Sequence, residues 1–245
     1  MALPAHLVDR FSPALTRALH LGKESGRGVE DGIRFGLPAL DELLKGGGLL
    51  RGGVVELSLA EGVPGTSLML ALCRSAQQQA LQAGREVPWC AFVDPGASLH
   101  GPGVARAQVR CDRLLVVRPS VEAIARTTVR LAKSAAFELV VVDLLGVRGA
   151  ALPVALHEWP RIVRRLALEV DASARSVVLL TDADARRALP LPVAQRLEIA
   201  RPALDRLIVR VAKDKRGYVT ASRPVAWSRP EGEALVEEWR HASAG

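Results

Sequence analysis

Residues 57–68, LSLAEGVPGTSL, follow an apolar stretch with small and hydroxylic side chains in the order a phosphate-binding loop requires, and no lysine is among them. A working loop of this kind combines three things: glycines whose backbone N–H groups wrap the phosphates, a lysine that reaches the β- and γ-phosphates, and a Ser or Thr hydroxyl on Mg²⁺. Two registers are open. With Thr66 as the metal hydroxyl, Gly65 stands at the lysine position and Leu59 at the first glycine; with Ser67, those positions hold Thr66 and Ala60. Both lack the cation, so Gly62, Gly65, Thr66 and Ser67 read as a vestigial nucleotide site with no catalytic residue, cofactor or resident metal. Asp143 belongs with them. It ends an apolar run, and a carboxylate at the C-terminal end of a buried strand lies where open α/β sheets bind ligands and can hold Mg²⁺ through water. Each residue also has a structural use: Asp143 can cap the following helix or be inherited without a role, and Thr66 or Ser67 is expected to cap the helix that follows the loop. His100 and His157 stand without triad or ligand spacing and are assigned no chemistry.

Short apolar runs must position these groups. Residues 54–57, 89–93, 114–117, 139–142 and 177–180 read as strands, alternating with helices predicted over 66–82, 121–135 and 157–171. That pattern predicts an α/β fold with a mostly parallel central sheet flanked by helices. Ahead of it, Leu7, Phe11, Leu15 and Leu19 form one stripe of an amphipathic helix over 6–21, followed by a linker, a short helix over 37–44 and a glycine turn over 46–53. Beyond Thr181, residues 182–192 read as an irregular loop. Strand candidates follow at 196–200, 207–211 and 218–222, the last two joined as a hairpin by the turn 214–217. A tail over 229–245 closes the chain; two helical turns would stack Leu235 and Trp239 beside Arg240, either on a partner or back on the core. The expected division is helix and linker over 1–26, core over 27–228, and tail.

The 245 residues are enough for one large α/β domain with short appendages, and a hydrophobic fraction of 49% with 4% aromatic implies an aliphatic core. Cys73, Cys90 and Cys111 are widely spaced and read as buried small hydrophobes. No apolar run reaches membrane-spanning length and the first residues lack a signal pattern, so a cytoplasmic protein without membrane contact is expected. The net charge of +7 points to an acidic partner, either nucleic acid or an acidic protein surface. Arg161, Arg164 and Arg165 share one side of a helix and read as a solvated face that a phosphate backbone or an acidic partner could also meet. With so few aromatics to stack bases, DNA binding is expected to be weak, sequence-independent and lost with salt.

Residues 48–57, GLLRGGVVEL, resemble the entry to the P-loop of bacterial RecA recombinases, and residues 139–143, LVVVD, resemble their Walker B strand, in the same order. Residues 111–119, CDRLLVVRP, resemble the strand before that family's second large helix, and Lys213-Asp214-Lys215 its late Lys-x-Lys hairpin. The resemblance covers about 27–227. It departs at the missing lysine and after Asp94, where Pro95 or Gly96 stands in place of the water-activating glutamate. Among RecA relatives, a short, degenerate, basic chain with an N-terminal helix is most similar to the ImuA family, accessory proteins of bacterial mutagenic translesion synthesis. The resemblance implies a RecA-like core working in SOS-induced damage tolerance. Its partners would be RecA, the polymerase-like ImuB and, through that complex, an error-prone DNA polymerase. It further implies that Leu7, Phe11, Leu15 and Leu19 dock on a RecA protomer and that Leu235, Trp239 and Arg240 meet ImuB. Lys213, Lys215 and Arg216 would face nucleotide or DNA held by a neighbour. Arg186 and Arg187 fall at the position of RecA's DNA-binding loop, opposed there by Asp182 and Asp184. The chain is then a non-catalytic adaptor. Two alternatives are a weak ATPase that draws its cation from elsewhere, and a SulA-like inhibitor of cell division.

Overall fold

Aliphatic runs too short for helices build the centre of the molecule. In the computed structural model, which describes residues 32–147, 150–171, 173–185 and 190–227, the strands are β1 (Gly53–Leu59), β2 (Trp89–Val93), β3 (Leu114–Val117), β4 (Phe137–Asp143), the two-residue pair β5 (Gly146–Val147) and β6 (Ala150–Ala151), β7 (Ser176–Asp182), β8 (Gln195–Ala203), β9 (Arg206–Asp214) and β10 (Arg223–Ala226). The expected N-terminal helix with Leu7, Phe11, Leu15 and Leu19, the pair Arg186 and Arg187, and the tail with Leu235, Trp239 and Arg240 lie outside the described residues. Eight strands form one sheet in the order β10-β9-β8-β1-β7-β4-β2-β3. From β3 to β8 every neighbour is parallel, and β9 and β10 add antiparallel to that edge.

Both faces of the parallel part are covered, which is why its strands are apolar on both sides. Val55, Leu57, Leu139, Val141, Val178 and Leu180 face one core with helix α2 (Gly65–Gln82) and the short helices α1 (Pro38–Asp41) and α3 (Gly101–Arg106). The alternate residues Val54, Val140, Val142, Val177 and Leu179 face a second core with α4 (Ile124–Ser134) and α5 (Trp159–Val170). Each fully buried aliphatic side chain contributes about 1.5–3 kcal/mol, so this alternation across the central strands fixes which face of each strand meets which helix.

Charge is placed sparingly inside. Arg51 Nη1 meets Glu138 Oε1 at 2.6 Å, with both side chains almost buried. Across the sheet on the second face runs a chain of polar groups. Thr181 Oγ1 donates to Glu56 Oε1 at 2.7 Å, Arg196 Nε lies 3.6 Å from Glu56 Oε2 and 3.8 Å from Glu198 Oε1, and Arg210 Nε lies 3.1 Å from Glu198 Oε2.

Three local expectations need correction. The helix expected over 37–44 is only Pro38–Asp41, because Leu43 and Leu44 close three-residue turns that swing the chain back. There Gly48 lies against Gly32 so closely that a Cβ on Gly32 would stand 2.4 Å from the Gly48 carbonyl carbon. The strand expected over 218–222 is not formed. Thr220 alone ties that stretch to Val211, and the chain pairs with β9 only at β10. Cys111 is exposed, on the turn leading into β3, whereas Cys73 and Cys90 are buried as expected.

Candidate functional site

The loop from β1 to α2 occupies the C-terminal edge of the parallel strands, and three of its amides are spent on the protein itself. Ala60 N donates to Ile199 O, Val63 N to Ala60 O and Gly65 N to Val63 O. Gly62 takes the left-handed conformation the turn needs (φ 84°), and its carbonyl accepts from Arg201 Nη1 at 3.4 Å. Leucines fill the space at Gly65: a Cβ there would stand 2.7 Å from Leu59 Cδ1, with Leu180 and Leu145 next. The leucine at the first glycine position of one register is therefore a packing residue.

The capping role expected of Thr66 or Ser67 is not realised. The N-cap of α2 is Pro64, and no side chain caps it. Thr66 and Ser67 sit inside the first turn, two and three positions past the N-cap, too late to cap the free N–H groups. They face a cleft of about 400 Å³ whose lining includes Ser98, His100 and Arg106. Ser98 and Arg106 escaped the sequence reading, and His100 was given no role. The serine had a signal, the Asp94-x-x-x-Ser98 spacing of a carboxylate-closed turn.

Asp94 and Asp143 end adjacent strands, β2 and β4, and Ser98 joins them. Asp94 Oδ1 accepts from Ser98 N at 2.7 Å and Ser98 Oγ at 2.8 Å, while Oδ2 accepts from Leu99 N at 3.1 Å and faces Arg118 Nε at 3.4 Å. Asp143 Oδ1 accepts from Leu145 N at 2.9 Å, and Oδ2 lies 3.1 Å from Ser98 Oγ. A serine hydroxyl has one proton. Given to the nearer Asp94, it leaves the contact with Asp143 a hydrogen bond only if Asp143 carries a proton itself. Burial pushes the Asp143 carboxyl up and the Asp94 charge adds to that, against hydrogen bonds from Leu145, Ser98 and Gly146. Asp143 thus closes the turn from β4 into β5; no helix follows there for it to cap.

Lys213, Lys215 and Arg216 stand apart from this group, at the opposite end of the sheet. Because β9 runs against β8, its last residues lie beside Gly52 and Ala194, where the parallel strands begin; Lys215 Nζ donates to Gly52 O at 3.1 Å. Arg216 grips Asp214 through Nε at 3.0 Å and Nη2 at 2.7 Å. Burial raises the Asp214 carboxyl, but the hydrogen bonds and charge of Arg216 and a bond from Gln195 hold it below its usual value. Lys213 is exposed.

Among the described residues no group of three or more His, Cys, Asp or Glu could hold a metal ion, and no helix is long and apolar enough to cross a membrane. The arrangement offers hydroxyls and one arginine around a cleft, beside a loop whose Ala60, Val63 and Gly65 amides are bonded to the protein and whose space at Gly65 is filled by leucines. No family model matches the chain.

Proposed function

We propose that this chain is a RecA-related adaptor of the ImuA type that works without ATP, holding RecA and ImuB, and through them an error-prone polymerase, during SOS-induced translesion synthesis. The observation that carries the non-catalytic half is the closed loop after β1: no lysine, Val63 and Gly65 amides bonded to neighbouring carbonyls, and Leu59 packed at Gly65. Phosphoryl transfer rests on positioning and charge neutralisation, and this loop supplies neither. The mostly parallel sheet, with β1 near its centre and Asp143 on the same edge as the loop, is the frame such a chain would keep. Partner identities come from the resemblance alone. The position of Lys213 and Lys215 at the far end from the loop supports contact with a neighbour's nucleotide, since head-to-tail stacking brings opposite edges together.

The test is co-elution of the purified full chain with RecA and with ImuB, alongside calorimetry with Mg-ATP. Binding to both proteins without saturable ATP binding is expected. Removal of residues 1–26 should abolish the RecA contact, and Trp239→Ala or truncation before Arg229 should abolish the ImuB contact. Failure to bind either protein overturns the adaptor reading, and capture of a tubulin-like division protein instead would favour the inhibitor. Turnover lost in Asp143→Ala would favour the weak ATPase, for which Arg106, in the same cleft as Thr66 and Ser67, is the nearest candidate cation.

A further inference from the structure

One face of the molecule carries a cluster of exposed arginines. Helices α4 and α5 carry six basic side chains, Arg126, Arg130, Lys133, Arg161, Arg164 and Arg165, against Glu169 within them and Glu122, Glu158 and Asp171 at their ends. The acids lie at the helix ends, and the arginines hold the middle of the face. Their C-terminal ends lie side by side: Arg175 reaches Ala132 O at 2.8 Å and Glu169 O at 2.7 Å, and Lys133 Nζ is 3.6 Å from Glu169 Oε1. The inner stripes of both helices are buried, Ile124, Thr128, Val129 and Ala132 on α4 and Trp159, Val163, Leu166 and Val170 on α5. The arginines therefore point outward from neighbouring, parallel helices. All five are exposed, and among the described residues none makes an ion pair or side-chain hydrogen bond.

We infer that the outer face of α4 and α5 binds the phosphate backbone of double-stranded nucleic acid. Five unengaged guanidiniums, whose planar forks suit phosphate, make a dense cationic surface. Arg126 and Arg130, like Arg161 and Arg165, are about 6 Å apart along their helices, and packed helix axes lie about 8–10 Å apart. A patch of that size meets several phosphates of a duplex carrying one charge per about 1.7 Å of axis. A protein partner is disfavoured because such interfaces need an apolar or aromatic centre. Here the one large exposed apolar side chain among the described residues of the two helices is Leu168, towards the end of α5. With no exposed aromatic residue on the face there is no platform for stacking bases, so the contact reads neither sequence nor single strands. This inference does not rest on the adaptor reading.

The probe is a short fluorescent DNA duplex titrated with the full chain at about 50 to 200 mM salt. The variant Arg161→Ala/Arg164→Ala/Arg165→Ala alters exposed positions to the best helix former, and its melting temperature checks the fold. Binding should weaken at least tenfold, and the salt dependence should become shallower by about two to three units of logarithmic slope. A second variant, Arg126→Ala/Arg130→Ala, should weaken binding in the same way from the other helix. Arg206→Ala/Arg223→Ala, on the β9–β10 edge, should leave both affinity and slope unchanged. The inference is overturned if the wild-type chain does not bind the duplex at low salt. Equal affinity and slope in the α5 variant, or equal competition by polyglutamate, which would mark a surface for acidic protein, would overturn it too.

Discussion

Replacing Asp143 with asparagine should stabilise this protein, although the residue sits where a catalytic carboxylate would be conserved in an enzyme. In the wild type, Ser98 offers one proton to two carboxylates, and Asp143 is 2% exposed beside the Asp94 charge. Asparagine keeps the acceptor for Leu145 N and supplies an N–H toward Ser98 Oγ, which then donates to Asp94 without conflict. The gain is one satisfied hydrogen bond, about 1 kcal/mol, or a rise of about 2–4 °C in melting temperature for a chain of this size. Alanine should instead cost about 1–3 kcal/mol by leaving Leu145 N without its acceptor. The pH dependence gives a second reading. Because the folded carboxyl binds its proton more tightly than the unfolded one, wild-type stability declines as pH rises from about 3.9 through the raised folded value. The advantage of the asparagine variant should therefore grow from mildly acidic to neutral pH. Thermal melts of wild type, Asp143→Asn and Asp143→Ala across that range decide it. An asparagine variant as unstable as the alanine one, or an advantage that does not grow with pH, would refute the shared-proton account.

Asp214 runs with the opposite sign. Its lowered carboxyl stabilises the fold above about pH 3.9, so Asp214→Ala should cost about 2 kcal/mol at neutral pH, a deficit that closes as acid titrates the wild type; denaturant curves at two pH values would check this. Glu138→Ala strands the nearly buried Arg51 and should cost about 3 kcal/mol, lowering the melting temperature by about 6–12 °C in calorimetric scans. Restoring the loop chemistry with Ala60→Gly and Thr66→Lys should not create ATP binding tighter than about 1 mM, since Leu59 and the inward-bonded amides remain. Isothermal titration giving a tighter constant would show that the lysine alone was missing.

The parallel half of the sheet is legible because each strand centres on a short apolar run; β2 and β3 begin and end at the residues expected from the sequence. The antiparallel end is less so. Tyr218, Val219 and Thr220 have strand-like side chains, yet β10 starts five residues after the expected start, at Arg223, and runs through Pro224, which is tolerated because β10 is an edge with β9 as its one neighbour. At the site, the missing lysine could be read directly. The bridge from Ser98 to Asp143 could not, because it exists only once β2 and β4 lie side by side and bring together residues 45 positions apart. Cys111 misled for a related reason: composition says a free cysteine is buried, and its turn position says otherwise.

The ladder of charge from Thr181 to Arg210 also acts as a gauge of strand alignment. In the native pairing Glu56 stands opposite Arg196 and Ser58 opposite Glu198. Sliding β8 by two residues one way would face Glu56 with Glu198, and two the other way with Ala194; either leaves a fully buried carboxylate repelled or stripped of its cation. A slip of one would present Gln195 or Leu197 and turn the apolar set of β8 inside out. Hydrocarbon alone would forgive a two-residue error, because Leu197, Ile199 and their neighbours are interchangeable as bulk. The buried acid is not forgiving, and it sits where the chain must attach its last parallel strand and then reverse into β9. A misaligned pairing at that junction therefore carries an electrostatic cost that the packing of β9 and β10 does not offset.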